Sequence, residues 1–148
     1  MAEATVESVR AEVSAAFESY MTELKQSAPN WDTRPEGATE GEAAWSPRQV
    51  AEHIAGSGLY FAAGIAKAIG IEGAEMQRFQ LESADVAVSK TTESHASLMG
   101  VVDQIEDAQL STRIEKTPIG DTTVGGLVAL VAHHLKDHAG QLKTLRDA

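Results

Sequence analysis

The chain has 148 residues, no cysteine and a formal charge of −10. That length suits one domain with an unstapled core, and the missing thiols exclude disulfides, thiolate metal sites and a cysteine nucleophile. The acidic balance reads against nucleic-acid and anionic-membrane partners, no apolar run approaches the ~20 residues of a membrane span, and residues 1–10 lack the apolar core of a secretory signal, so a soluble cytoplasmic protein is expected.

A first helix is predicted from about Thr5 to Lys25, because Val6, Val9, Val13, Phe17, Tyr20 and Leu24 recur at three- and four-residue steps. Ser27 to Trp45 then reads as a linker rich in Pro, Gly, Asp and Thr, carrying Trp31 and Trp45. A loop of this length inside a compact domain crosses the bundle or covers something. The second helix opens at Ser46, with Pro47 in the first helical position and Gln49 completing a capping box. Trp45 and Val50 are placed for a hydrophobic staple. The apolar stripe continues through Val50, Ile54, Phe61, Ile65 and Ile69 and stops at Gly70. Gly56 and Gly58 interrupt it, and interior glycines cost roughly 1 kcal/mol each. They imply close packing, or space kept clear beside His53.

Gly70 to Glu82 reads as loop. A third helix is predicted from about Ser83 to Asp107, with Val88, Thr91, His95, Leu98, Val102 and Ile105 on one face. Ala108 to Asp121 is a second loop with room for a short extended piece. A fourth helix starts near Asp121 or Thr123 and carries Leu127, Val131, His134, His138, Leu142 and Leu145 on its stripe. Four long amphipathic helices in one domain, 1–148, predict an all-α four-helix bundle whose long first connection permits a crossover.

His53, His134 and His138 each sit among apolar stripe residues. A lone histidine there is by default a hydrogen-bonded core residue. The i, i+4 pair changes that balance, because two rings leaving one helix face a turn apart each need a partner and one cation satisfies both. With His53 from the second helix they form a three-nitrogen set, provided the start of that helix and the end of the fourth share one end of the bundle. His95 reads as a proton carrier near the site or a plain core residue rather than a fourth ligand. His133 points off the stripe, and Asp137 and Gln141 are placed to orient ligand rings. The glutamate of an H-E-x-x-H site is missing, as are the Glu-x-x-His pairs of di-iron bundles, phosphate-binding glycine loops and the Gly-x-Ser-x-Gly elbow.

The stretch Trp45-Ser46-Pro47-Arg48-Gln49-Val50-Ala51-Glu52-His53-Ile54 resembles the opening of the second helix in the DinB-like (DinB/YfiT) superfamily. The stretch His134-Leu135-Lys136-Asp137-His138-Ala139-Gly140-Gln141-Leu142 resembles the last helix of that family, with its His-x-x-x-His-x-x-Gln pattern. The resemblance covers essentially the whole chain. It implies an up-down-down-up bundle with a divalent metal, often zinc or nickel, on His53, His134 and His138. It also implies a branch of transferases and isomerases that use small bacterial thiols such as bacillithiol or mycothiol, and frequent dimers. Arg48 then reads either as a holder of a ligand carboxylate or as an ordinary first-turn surface residue. Leu59 and Tyr60, apolar residues off the main stripe, suggest a homodimer face.

Three functions follow for comparison: a metal-dependent enzyme transferring or rearranging a group on a small thiol, a non-catalytic metal-stapled bundle or stress-linked binding protein, and a metal-dependent hydrolase with His95 as base. In each case the partner expected is a small molecule or thiol rather than nucleic acid or membrane.

Overall fold

A computed structural model describes residues 5–37, 40–73 and 75–147. Residues 1–4, part of the stretch read above for a signal sequence, lie outside these. Four helices carry the fold: α1 (Val6–Lys25), α2 (Pro47–Ile69), α3 (Ala84–Val102) and α4 (Val124–Asp147). Among the described residues, no helix is long and apolar enough to cross a membrane.

Each helix begins where a hydroxyl satisfies an otherwise orphaned amide. Thr5 Oγ1 accepts from Ser8 N at 3.1 Å, and Ser83 Oγ accepts from Val86 N at 3.2 Å. Ser46 and Gln49 form the expected reciprocal box, with Ser46 N donating to Gln49 Oε1 at 3.0 Å. Thr123 Oγ1 accepts from Gly126 N at 3.0 Å, so α4 starts at the later of the two expected positions. Gly70 closes α2 in the left-handed conformation, φ +76°, that glycine adopts without strain.

Contacts at the helix ends fix the directions. The start of α1 meets the end of α3 through Arg10–Asp103 at 2.8 Å. The ends of α1 and α4 meet through the Glu23–Arg146 ion pair. His53, early in α2, meets His134, near the middle of α4, and Gln141, late in α4, donates to the carbonyl of Glu42 just ahead of α2. Leu81, just ahead of α3, donates its amide to Glu52, early in α2, at 2.9 Å. The bundle is therefore up-down-down-up. The start of α2 and the end of α4 share one end, as a common histidine layer requires.

Two long connections make this possible. The first, 26–46, stays at the end where α1 stops and folds over it in two 3-10 turns, Ala28–Asn30 and Glu42–Ala44. Trp31, 6% exposed, anchors it by donating its indole N–H to Leu81 O at 2.8 Å. The second, 70–83, makes the lengthwise return that parallel α2 and α3 require. It leaves Gly73 against Ala66 and brings Leu81 to Glu52.

α3 is shorter than the stripe suggested. It ends at Val102 because Asp103 turns to Arg10 and Asp107 accepts the amide of Val6 at 2.9 Å, capping another helix instead of continuing its own. Its buried face is also rotated toward small residues. Ala87, Thr91, Ser94, Leu98 and Val101 are buried, whereas Val88 and His95 lie at the margin. Ser94 donates to Ala55 O at 2.6 Å, and a Cβ on Gly58 would stand 2.8 Å from Ser94 Oγ. That close approach of α2 and α3 is what Gly58 permits. The expected extended piece is a hairpin of β1 (Arg113–Thr117) and β2 (Gly120–Thr123), antiparallel, pairing Arg113 with Thr123 and Ile114 with Thr122. Leu59 is 1% exposed and belongs to the bundle interior, so of the two residues read as a dimer face only Tyr60, 49% exposed, reaches solvent.

Candidate metal centre

α2 and α4 run antiparallel, so His53 faces His134 and His138 across their groove. Nε2 of His53 lies 2.9 Å from Nε2 of His134, which lies 3.2 Å from Nε2 of His138. Ligand atoms of all three rings fall within 4.8 Å of one another, so the three histidines could hold a metal ion. His138 is buried at 4% exposure, and His53 and His134 are half-buried.

Gln141 decides the tautomer of His138. Its Nε2 donates to Glu42 O at 2.7 Å, and a carbonyl only accepts, so the amide oxygen must face the histidine. His138 Nδ1 donates to that oxygen at 2.7 Å. A neutral His138 therefore turns a bare Nε2 toward the cluster. Burial, followed by the charge of the neighbouring rings, pushes His134 down to about 4, and burial likewise lowers His53. Both shifts favour the neutral ring. One neutral ring cannot serve both Nε2–Nε2 contacts of His134 in good geometry, which leaves lone pairs confronting each other. A cation relieves that conflict. Held about 2.0–2.1 Å from three imidazole nitrogens in tetrahedral geometry, it would set them about 3.3 Å apart. The donor set and its spacing fit a divalent ion.

The first connection roofs this cluster. Trp45, read from sequence as half of a helix staple, lies against the site, 5.0 Å from the His53 ring and 6.3 Å from that of His138. Glu42, whose importance the sequence did not show, brings Oε1 to 3.5 Å from His138 Nε2. No described residue fills the other side. A Cβ on Gly56 would meet nothing within 4 Å, and Gly56 lines an open cleft with Glu52, His53, Ser57, Tyr60 and Arg78. Of Gly56 and Gly58, Gly58 serves close packing and Gly56 keeps space beside His53.

The remaining histidines lie outside the cluster. His95 stacks face to face on Phe17, with ring centroids 3.6 Å apart, and burial pushes it down to about 4. It shares with His134 a narrow cavity of about 20 Å³, room for about one water, also lined by the buried hydroxyl of Thr91. His133 is exposed and pairs with Asp137 at 3.1 Å, so Asp137 orients no ring of the cluster. Arg48 is held by Glu52 at 3.3 Å and Asp32 at 3.5 Å. Its charge is already matched by these two carboxylates.

A four-helix bundle in which three imidazoles converge on one another could hold a metal ion there. The description "DinB superfamily" matches residues 5–142, and the chain belongs to that family. No curated protein matches it. Among solved structures it is similar to the colibactin self-resistance protein ClbS in complex with a double-stranded DNA, at 12% identity and a TM-score of 0.71, covering 100% of this chain and 99% of that one. At that identity the likeness shows the fold.

One expectation is corrected by this comparison. The acidic net charge was read as excluding nucleic acid, yet a protein of this fold is found on double-stranded DNA. Net charge sums the whole surface and does not fix the field over any one face.

Proposed function

We propose that this chain is a metal-dependent enzyme acting on a small molecule. His53, His134 and His138 are the ligands of a divalent cation, zinc or nickel, and a low-molecular-weight thiol is the co-substrate, used for S-transfer or isomerisation. The observation that carries the reading is the convergence of three imidazole nitrogens beside a cleft that the described residues leave open at Gly56. Three ligands rather than four leave a position for chemistry. Bound there, the cation supplies a Lewis acid that lowers the pKa of a thiol.

The chain's own residues do the rest. Gln141 holds His138 in the tautomer that presents Nε2. Trp45 shields one side of the rings from water. His95 stays neutral across the cavity from His134 and serves as a proton carrier through water there. Arg48 braces Glu52, which lines the cleft beside His53.

Metal analysis of protein purified without a histidine tag tests the centre, with about one bound ion per chain expected and none in a His134→Ala variant. Titration of the metal-loaded protein with bacillithiol, mycothiol, coenzyme A and glutathione tests the co-substrate. Binding by none of them removes the thiol from this reading.

The complex of ClbS with DNA motivates a second reading, in which this bundle also contacts double-stranded DNA. A mobility-shift titration across salt concentrations addresses it, since phosphate contacts weaken steeply with salt. No shift at low salt rejects it.

A further inference from the structure

Glu42 lies on the 3-10 turn Glu42–Ala44 of the first connection, directly over the histidine cluster. Its Oε1 stands 3.5 Å from His138 Nε2, and its side chain remains 59% exposed. Among the described residues, no other carboxylate oxygen lies within 4.0 Å of a ring nitrogen of the cluster. The turn is fixed at several points. Gln141 Nε2 donates to the Glu42 carbonyl at 2.7 Å, so the amide that orients His138 also sets the height of Glu42 above it. Trp45 N donates to the same carbonyl at 3.1 Å while its ring packs on His53 and His138. Gly41 enters the turn at φ +65°, ψ −160°, a conformation open essentially to glycine alone.

Three neutral imidazoles leave the full double charge of a cation uncompensated, and the nearest anion is this carboxylate. We propose that Glu42 is a fourth, displaceable ligand of the cation held by His53, His134 and His138. It closes the site at rest and leaves when an incoming thiol takes its place. The exchange balances: the metal–carboxylate bond breaks, a metal–sulfur bond forms, and the thiol proton passes to the freed Glu42 carboxylate. High exposure makes departure easy, because the carboxylate regains its water. The inference rests on the metal reading above and adds what the resting site looks like.

The test uses the full chain, its Glu42→Gln and Glu42→Ala variants, and Gly41→Ala to displace the turn. Zinc affinity is measured by chelator competition, the coordination by the visible spectrum of the cobalt(II)-loaded protein, and displacement by titration with 2-mercaptoethanol. Loss of the ligand should weaken zinc about tenfold or more, alter the cobalt spectrum and let 2-mercaptoethanol bind more tightly. Gly41→Ala should move the first two readouts in the same direction. Glu42 variants with wild-type affinity and an unchanged spectrum overturn the inference alone. Wild-type protein that takes up no divalent ion overturns the metal reading and this one with it.

Discussion

His138 and Gln141, one helical turn apart on α4, are joined by a 2.7 Å hydrogen bond from Nδ1 to Oε1, and the other end of the same amide holds the Glu42 carbonyl at 2.7 Å. One side chain thus sets a ring tautomer and moors the segment that covers the ring. Gln141→Ala should weaken divalent-metal binding by about 10–100-fold, the usual cost of removing an outer partner of a ligating histidine. Stability should change little, because Gln141 is only partly buried. Chelator competition beside thermal melting separates the two, and an unchanged affinity would deny Gln141 its orienting role.

The three histidines should act as a unit. His53→Ala, His134→Ala and His138→Ala should each abolish tight metal binding, since two imidazoles make a poor site. Metal in excess should raise the melting temperature of the wild type, because a ligand that binds only the folded state adds about 2.7 kcal/mol at a hundredfold excess over its Kd. The variants should show no such rise. A variant that keeps the full rise would remove that histidine from the ligand set.

Much of this was legible because it is local. Ser46, Pro47 and Gln49 announce the start of α2, and their box forms as written. The i, i+4 spacing of His134 and His138 places both rings on one face whatever the tertiary context. Their meeting with His53 needed only the direction of α2 against α4. What stayed hidden depends on contacts distant in sequence. Glu42 sits in a connection with no periodicity, and its place is set by Gln141, far along the chain. The buried face of α3 was misjudged because Val88 and His95 outrank Ala87 and Ser94 in hydrophobic size, whereas helix packing favoured the smaller pair. The nucleic-acid exclusion failed for a different reason: it treated a total charge as a property of every surface.

The α2–α3 contact offers a sharper test of that packing. A Cβ on Gly58 would lie 2.8 Å from Ser94 Oγ, which is itself held 2.6 Å from Ala55 O. Gly58→Ala should destabilise the protein by about 1–3 kcal/mol, as overpacking does, despite the better helix propensity of alanine. Ser94→Ala removes the obstructing oxygen at a cost of about 1 kcal/mol for the lost hydrogen bond. The double variant should then be more stable than the sum of the single effects predicts. Strict additivity in urea unfolding would show that the two residues do not meet.

Acid should unfold the metal-free protein partly through His95. Burial against Phe17 pushes its folded-state value down to about 4, from an ordinary 6.5. Between those values the unfolded chain binds a proton that the folded chain refuses. Unfolding is therefore favoured as pH falls, and the contribution of neutral His95 is fully present only above about 6.5. His134 and His53 are shifted in the same direction, so the wild-type slope carries all three rings. His95→Gln should remove its own share, up to about one proton of that dependence, while leaving the other two. Urea unfolding of metal-free wild type and variant at about pH 7, 6 and 5 compares the slopes. Equal slopes would mean that His95 titrates normally in the folded bundle, and with it would go the case for a neutral proton carrier across the cavity from His134.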